Sequence, residues 1–121
     1  MLGNDKPRKY DLEERTIEFA KNVRTFVKQV PATIANNEDT KQLVRSSGSV
    51  GANYIEANEA LSKKDFVMRI KICRKEAKES QYWLQLVDID DSREQQKTRN
   101  DLVSEATELM NIFGAILQKS R

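Results

Sequence analysis

A basic segment at positions 63–78 contains the residues best suited to binding chemistry. It holds seven basic and two acidic residues, a local charge of +5. If the segment is helical, the face opposite its apolar stripe and the flanks of that face carry six basic residues: Lys63, Lys64, Lys71, Arg74, Lys75 and Lys78. Clustered positive charge attracts phosphates and releases condensed counterions. The segment therefore predicts contact with an RNA or DNA backbone, with an ordinary solvated helix face as the alternative.

Three glutamate pairs could in principle bind a metal or transfer protons, because their members stand three residues apart: Glu56/Glu59, Glu76/Glu79 and Glu105/Glu108. Such pairs are common on solvated helices, and we expect no catalytic residue, metal ligand or cofactor among them. Glu76 stands in the basic segment and Glu79 directly follows it, so we expect them to pair with Arg45 or with lysines across a helix contact.

The sequence contains no histidine and one cysteine. These counts exclude Glu-x-x-His di-iron sites, Ser-His-Asp and Cys-His catalytic sets, and the usual zinc sites. Cys73 falls on an apolar stripe, which predicts a buried packing residue rather than a reactive thiol. We therefore expect a protein that is not an enzyme.

The composition is typical of one helical domain. Charged residues make up 33% of the 121 residues, whereas the chain contains only four glycines and two prolines. No apolar run is long enough to cross a bilayer, and the N-terminus lacks the apolar core of a secretion signal. A lone cysteine suits a reducing compartment. We therefore expect a cytoplasmic protein without a membrane partner.

Apolar residues recur at steps of three and four in four segments, which predicts four amphipathic helices. The expected helices run from about Asp11 to Val30, from Asp39 or Thr40 to Ala60, from an N-cap at Ser62 to about Val87, and from about Arg93 to Gln118. The fold class is all-α, an up-and-down antiparallel four-helix bundle.

The regions around these helices carry further expectations. Residues 1–9 are predicted to form a disordered N-terminal tail, and residues 10–121 to form the bundle domain. The segment after Pro31 reads as the longest of the three connections, with Ile34 tucked under the bundle.

Small and polar residues distinguish the predicted second helix. Gly48 and Gly51 weaken a helix, which a closely approaching neighbour would offset; the alternative is a helix broken or kinked near Gly48. Another face carries a polar strip at steps of four, four and three: Arg45, Ser49, Asn53 and Glu56. In a monomer this strip would be solvated, and in an oligomer it could form a hydrogen-bonded subunit contact.

Apolar residues that lie off the main stripes favour an oligomer over a solitary bundle. They include Ile55, Met68, Ile72, Tyr82, Trp83 and Leu86. Trp83 is the member that we assign to a subunit interface, because aromatic residues are enriched at the centres of such contacts.

Three segments resemble a known family: LVRSSGSVGANYIEA at 43–57, SKKDFVMRIKI at 62–72 and KEAKESQYWLQL at 75–86. The chain is similar, from about Tyr10 to Leu117, to the small four-helix bundle proteins encoded by intervening sequences in bacterial large-subunit ribosomal RNA genes. The resemblance implies a homopentameric ring without known catalysis, and RNA or DNA binding is an expected role. By this resemblance, the family's polar motif falls on six residues, and a subunit contact is the favoured role for them: Arg45, Ser49, Asn53, Glu56, Glu76 and Glu79.

Two functions follow as hypotheses. The first is a non-enzymatic, ring-forming bundle that binds RNA or DNA through the basic face of its third helix. The second is a scaffold whose partner is another protein, contacted through Tyr82 and Trp83. The expected partners are therefore other copies of the same chain, in a homo-oligomer, and RNA or DNA.

Overall fold

Four helices make up the fold in the computed structural model, which describes residues 8–121 and their side chains from residue 12. They are α1 (Arg8–Lys28), α2 (Ile34–Asn58), α3 (Lys63–Leu86) and α4 (Arg93–Lys119). Each helix packs against the next, and α4 closes back onto α1 through the least extensive contact. The predicted all-α, up-and-down antiparallel four-helix bundle is confirmed, and no helix in the described part of the chain is long and apolar enough to cross a membrane.

Hydroxyl side chains start three of the helices. Thr33, Ser62 and Ser92 each accept a hydrogen bond from the backbone N–H three residues ahead, at 3.0, 3.0 and 3.1 Å. A cap of this kind contributes about 1 kcal/mol, because it satisfies a donor that the first turn leaves unpaired. The predicted N-cap at Ser62 and the predicted helix start near Arg93 are therefore confirmed.

The core follows the predicted stripes closely. Each helix contributes large apolar side chains with almost no exposed surface, among them Phe19, Phe26, Leu43, Val50, Ile70, Leu84, Leu109 and Phe113. Tyr54 of α2 meets Phe113 of α4 with ring centroids 5.7 Å apart, a favourable tilted arrangement. Cys73 is fully buried on the α3 stripe, as predicted.

The beginnings of the first two helices differ from the sequence expectation. α1 begins at Arg8 rather than near Asp11, and residues 1–7 of the predicted tail lie outside the described residues. α2 begins at Ile34, because Thr33 caps it and Asn36 takes a buried position in its first turn. The polar run 35–40 lacks apolar periodicity, so its helical state was not visible in the pattern.

Two apolar residues near the two ends of α2 are exposed. Ile34 is 88% exposed rather than tucked under the bundle, because it stands at the outward-facing start of α2. Leu61 is 98% exposed, because α2 ends at Asn58 and its stripe does not continue. The prediction that the first connection is the longest is also wrong, since residues 29–33 are fewer than residues 87–92.

Gly51 marks the close approach of α1 and α2. A Cβ added there would lie 2.6 Å from the Oγ1 and 3.0 Å from the Cβ of Thr16. α2 runs without a break through Gly48 and Gly51, so the alternative of a broken helix is excluded. The expectation of a closely packed neighbour is met at Gly51, whereas Gly48 has only the end of the Arg24 side chain nearby.

Two buried amides fasten the end of the bundle where two connections meet. Asn36 bonds the carbonyl of Pro31 and both backbone groups of Asp88, which joins the first and third connections. The Nε2 of Gln95 donates to the carbonyl of Gln29 at 3.1 Å. These bonds supply partners for backbone groups in the two connections that no helix provides.

Candidate nucleic-acid interface

A groove of about 620 Å³ between α3 and the end of α4 carries a cluster of positive charge. Its α3 side is formed by Val67, Lys71, Arg74, Lys75 and Lys78, and its other side by Gly114, Leu117, Gln118, Ser120 and Arg121. The antiparallel topology creates this pairing, because the end of α4 lies beside the first half of α3. The groove is thus lined by five basic side chains from two parts of the chain.

The charge of this groove is not neutralised within the described residues. No acidic side chain is among those that line it. The cations of the described ion pairs are Arg15, Lys41, Arg45 and Lys97, none of which belongs to the groove. A concave surface with charges of one sign focuses the electrostatic potential and attracts polyanions.

The six basic residues singled out in the sequence are all exposed, but they do not form one cluster. Four of them line the groove, whereas Lys63 and Lys64 lie in the first turn of α3, outside its lining. Lys64 precedes Lys71 by seven residues, about 10 Å along a helix axis. Arg121 and the α4 residues of the lining could not be predicted, because helical periodicity alone does not pair a face with the end of another helix.

The polar strip of α2 is engaged with α3 inside one chain. The Nη2 of Arg45 lies 3.3 Å from Glu76 and 2.7 Å from Glu79. This is the pairing with Arg45 that the sequence predicted. The Oδ1 of Asn53 accepts a hydrogen bond from Arg69 at 2.9 Å, and its Nδ2 donates to the carbonyl of Ser49.

These bonds bear on the predicted subunit contact. Glu56 is exposed, while the side chain of Arg45 remains 47% exposed despite its two partners. The strip therefore contributes to the α2–α3 packing of one chain and keeps an open outer edge. Its role between subunits stays a prediction.

Glu76 is a buried carboxylate in this cluster. Burial raises its pKa above the ordinary value, the neighbouring Glu79 raises the pKa further, and the ion pair with Arg45 opposes both effects. A raised pKa means that the folded protein binds the proton more tightly than the unfolded chain does. The contribution of Glu76 to stability is therefore fullest below its ordinary pKa and decreases as the pH rises towards the raised value.

Replacing Glu76 with glutamine should flatten this part of the pH profile and raise the unfolding free energy relative to wild type at neutral pH. Glutamine removes the burial of a charge, while Arg45 keeps Glu79 as its partner. Urea unfolding between about pH 4 and pH 7 measures the effect around carboxylate pKa values. The matched control is Glu59→Gln at an exposed position. A Glu76→Gln profile as steep as that of wild type would contradict the assignment.

The other glutamate pairs do not form a metal site in the described part of the chain. Glu105 receives a bidentate ion pair from Arg15, at 2.7 and 2.9 Å, and Glu108 bonds the same guanidinium. No group of three or more possible acidic or cysteine ligands occurs among the described side chains. Burial raises the pKa of the Cys73 thiol to about 12, which keeps it in the unreactive thiol form.

An aromatic pair near the end of α3 forms a second exposed surface. Tyr82 is 56% exposed and contacts Trp83 edge to face, with ring centroids 4.9 Å apart. Trp83 packs against the core, but its buried Nε1 has no hydrogen-bond partner within the described residues. Leu86, about half exposed, lies one turn further along α3.

The fold and the groove define a small helical bundle that presents one strongly cationic surface. The chain belongs to the 23S rRNA-intervening sequence protein family, whose family model matches residues 8–115. The resemblance inferred from the three sequence segments is thereby confirmed.

A solved structure supports the same assignment. The chain is similar to a protein of unknown function from the S23 ribosomal protein family of Bacteroides thetaiotaomicron VPI-5482, at 30% identity and a TM-score of 0.71. The match covers 88% of this chain and 97% of that chain. No curated protein matches the chain significantly. Neither the family nor the solved relative is described with an enzymatic activity.

Proposed function

We propose that this protein binds the phosphate backbone of RNA or DNA through the basic face of α3. The observation that carries the proposal is the groove, in which five basic side chains converge without an acidic neighbour in the lining. A polyanion bound there gains free energy by releasing its condensed counterions. Membership of a family named for an intervening sequence of 23S rRNA supports a nucleic-acid partner.

Replacing Lys71, Lys75 and Lys78 together with glutamine should weaken binding to RNA and DNA about tenfold at low salt. Each lost phosphate contact should also reduce the slope of log affinity against log salt by about 0.7–0.9. Fluorescence anisotropy with labelled oligonucleotides over a salt series measures both quantities.

The matched control for this variant neutralises Lys21, Lys28 and Lys41, which are exposed on α1 and α2. It changes the net charge equally but leaves the groove intact. Equal losses in both triple variants would mean that binding follows net charge alone. Absence of binding by the unmodified protein at low salt would remove the proposal.

The proposed functional form is a non-enzymatic homo-oligomer, a ring of five subunits in which the basic groove is repeated. Apolar side chains that are about half exposed on three helices support assembly: Ile17, Ile55, Met68, Tyr82 and Leu86. The proposed contact includes the open edge of the polar strip and Trp83, whose Nε1 a neighbour could satisfy. Light scattering at micromolar concentration tests this, and the mass of one subunit would contradict it.

A protein-binding scaffold is the second candidate, favoured by the exposed edge of Tyr82 beside Trp83 and Leu86. Capture of a partner protein that resists nuclease treatment but is lost on Tyr82→Ser would support it. Capture that nuclease abolishes would instead favour the nucleic-acid proposal.

A further inference from the structure

We propose that the groove accepts one unpaired base, so that its preferred ligand is a single strand of RNA or DNA rather than a duplex. This inference rests on the nucleic-acid function proposed above. It adds that the groove recognises more than phosphate charge. The reason lies in the mixed lining, because Val67, Gly114 and Leu117 place apolar surface among the cations.

Gly114 leaves space beside Arg74. The nearest atom to a Cβ added at Gly114 would be the Cδ of Arg74 at 3.9 Å, an ordinary contact distance. The side chain of Arg74 therefore passes over a position of α4 that has no side chain. An arginine guanidinium is planar and stacks on nucleobases. A flat base can lie in the groove against the Arg74 side chain, where Gly114 adds no side chain of its own.

The lysines are spaced to hold the backbone on either side of such a base. Lys71 and Lys78 are seven residues apart on α3, about 10 Å along the helix axis. A stacked strand advances about 3.4 Å per nucleotide, and a strand with one base turned out is more extended, so this length spans about two or three phosphates. Lys75 stands between them on the same side of the groove.

A duplex cannot use this arrangement fully. Its bases are paired and stacked inside the helix, so only its phosphates could reach the cations. A single strand can turn one base out onto the apolar lining without breaking a pair. The groove should therefore favour the single strand, whereas a flat basic surface would favour the duplex with its higher charge density.

The test uses Gly114→Leu, which fills the groove without changing its charge. Anisotropy is measured with one 12-nucleotide sequence as single-stranded DNA, as single-stranded RNA and as a DNA duplex. We expect the unmodified protein to bind the single strands about tenfold more tightly than the duplex. Gly114→Leu should lower single-strand affinity by more than duplex affinity and so remove this preference. Ala115→Leu, at an exposed neighbouring position outside the groove lining, should behave as wild type.

Arg74→Lys provides a second variant that keeps both the charge and an open groove. It should lower single-strand affinity by more than duplex affinity, because lysine keeps the positive charge but lacks the planar stacking surface. Equal affinity of the unmodified protein for single strand and duplex would overturn the inference. So would single-strand binding that resists both variants. In those cases the triple replacement of Lys71, Lys75 and Lys78 with glutamine decides about the proposed function. If it still weakens binding of all three oligonucleotides, the proposed backbone binding stands without the base-binding groove.

Discussion

Asn36→Ala is expected to lower the free energy of unfolding by about 3 kcal/mol, because it removes a buried side chain with three backbone partners. Asn36 is 2% exposed. Its Nδ2 donates to the carbonyls of Pro31 and Asp88 at 2.9 Å each, and its Oδ1 accepts from the N–H of Asp88 at 3.0 Å. Alanine would remove the side-chain partner of these loop groups and would leave a cavity in place of the buried amide.

Urea unfolding at fixed protein concentration measures this loss, since assembly would make stability depend on concentration. Asn37→Ala is the matched control, because Asn37 is exposed on the same turn of α2. It should change stability by less than about 0.5 kcal/mol. A similar small effect at both positions would show that the amide of Asn36 does not hold the two connections together.

Gly51→Ala is expected to destabilise the bundle by about 2 kcal/mol, although alanine is the better helix former. The added methyl group would lie 2.6 Å from Thr16 Oγ1 and 3.0 Å from Thr16 Cβ. Thr16 is itself buried, and rotating its side chain moves the hydroxyl but not the Cβ. The helices α1 and α2 would therefore have to separate.

Gly48→Ala provides the opposite expectation on the same helix. Its added methyl group would have only Arg24 Nη2 nearby, at 3.5 Å. We expect a gain of about 0.5–1 kcal/mol, the intrinsic difference between glycine and alanine. Thr16→Ala combined with Gly51→Ala should recover part of the loss, because it removes the closest contact. A gain from Gly51→Ala equal to that from Gly48→Ala would exclude a tight contact at Gly51.

Those parts of the fold that depend on local periodicity could be predicted from the sequence. The four stripes identified the core, since burial on a helix repeats every three or four residues. The pairing of Arg45 with Glu76 and Glu79 could also be expected, because a short basic run is a favourable place for carboxylates. The early start of α2 could not be read in the same way, since Asn36 is polar and its burial depends on the distant backbone of Asp88.

The candidate site was recovered only in part for a similar reason. Lys71, Lys75 and Lys78 share a helix face that the sequence displays directly. The opposite side of the groove depends on where α4 ends, so Gly114 and Arg121 carried no signal of their own. Whether other copies of the chain cover the exposed apolar residues is likewise a question beyond periodicity within a single helix.

The seam between α1 and α4 determines where this bundle should first come apart. Those helices share the least extensive contact of the fold, and the partly exposed Arg15 spans it by binding Glu105 and Glu108. Ion pairs accessible to solvent weaken as ionic strength increases. Local unfolding should therefore start with the separation of α1 from α4. The packed pair of α2 and α3 should be the last cooperative unit to unfold.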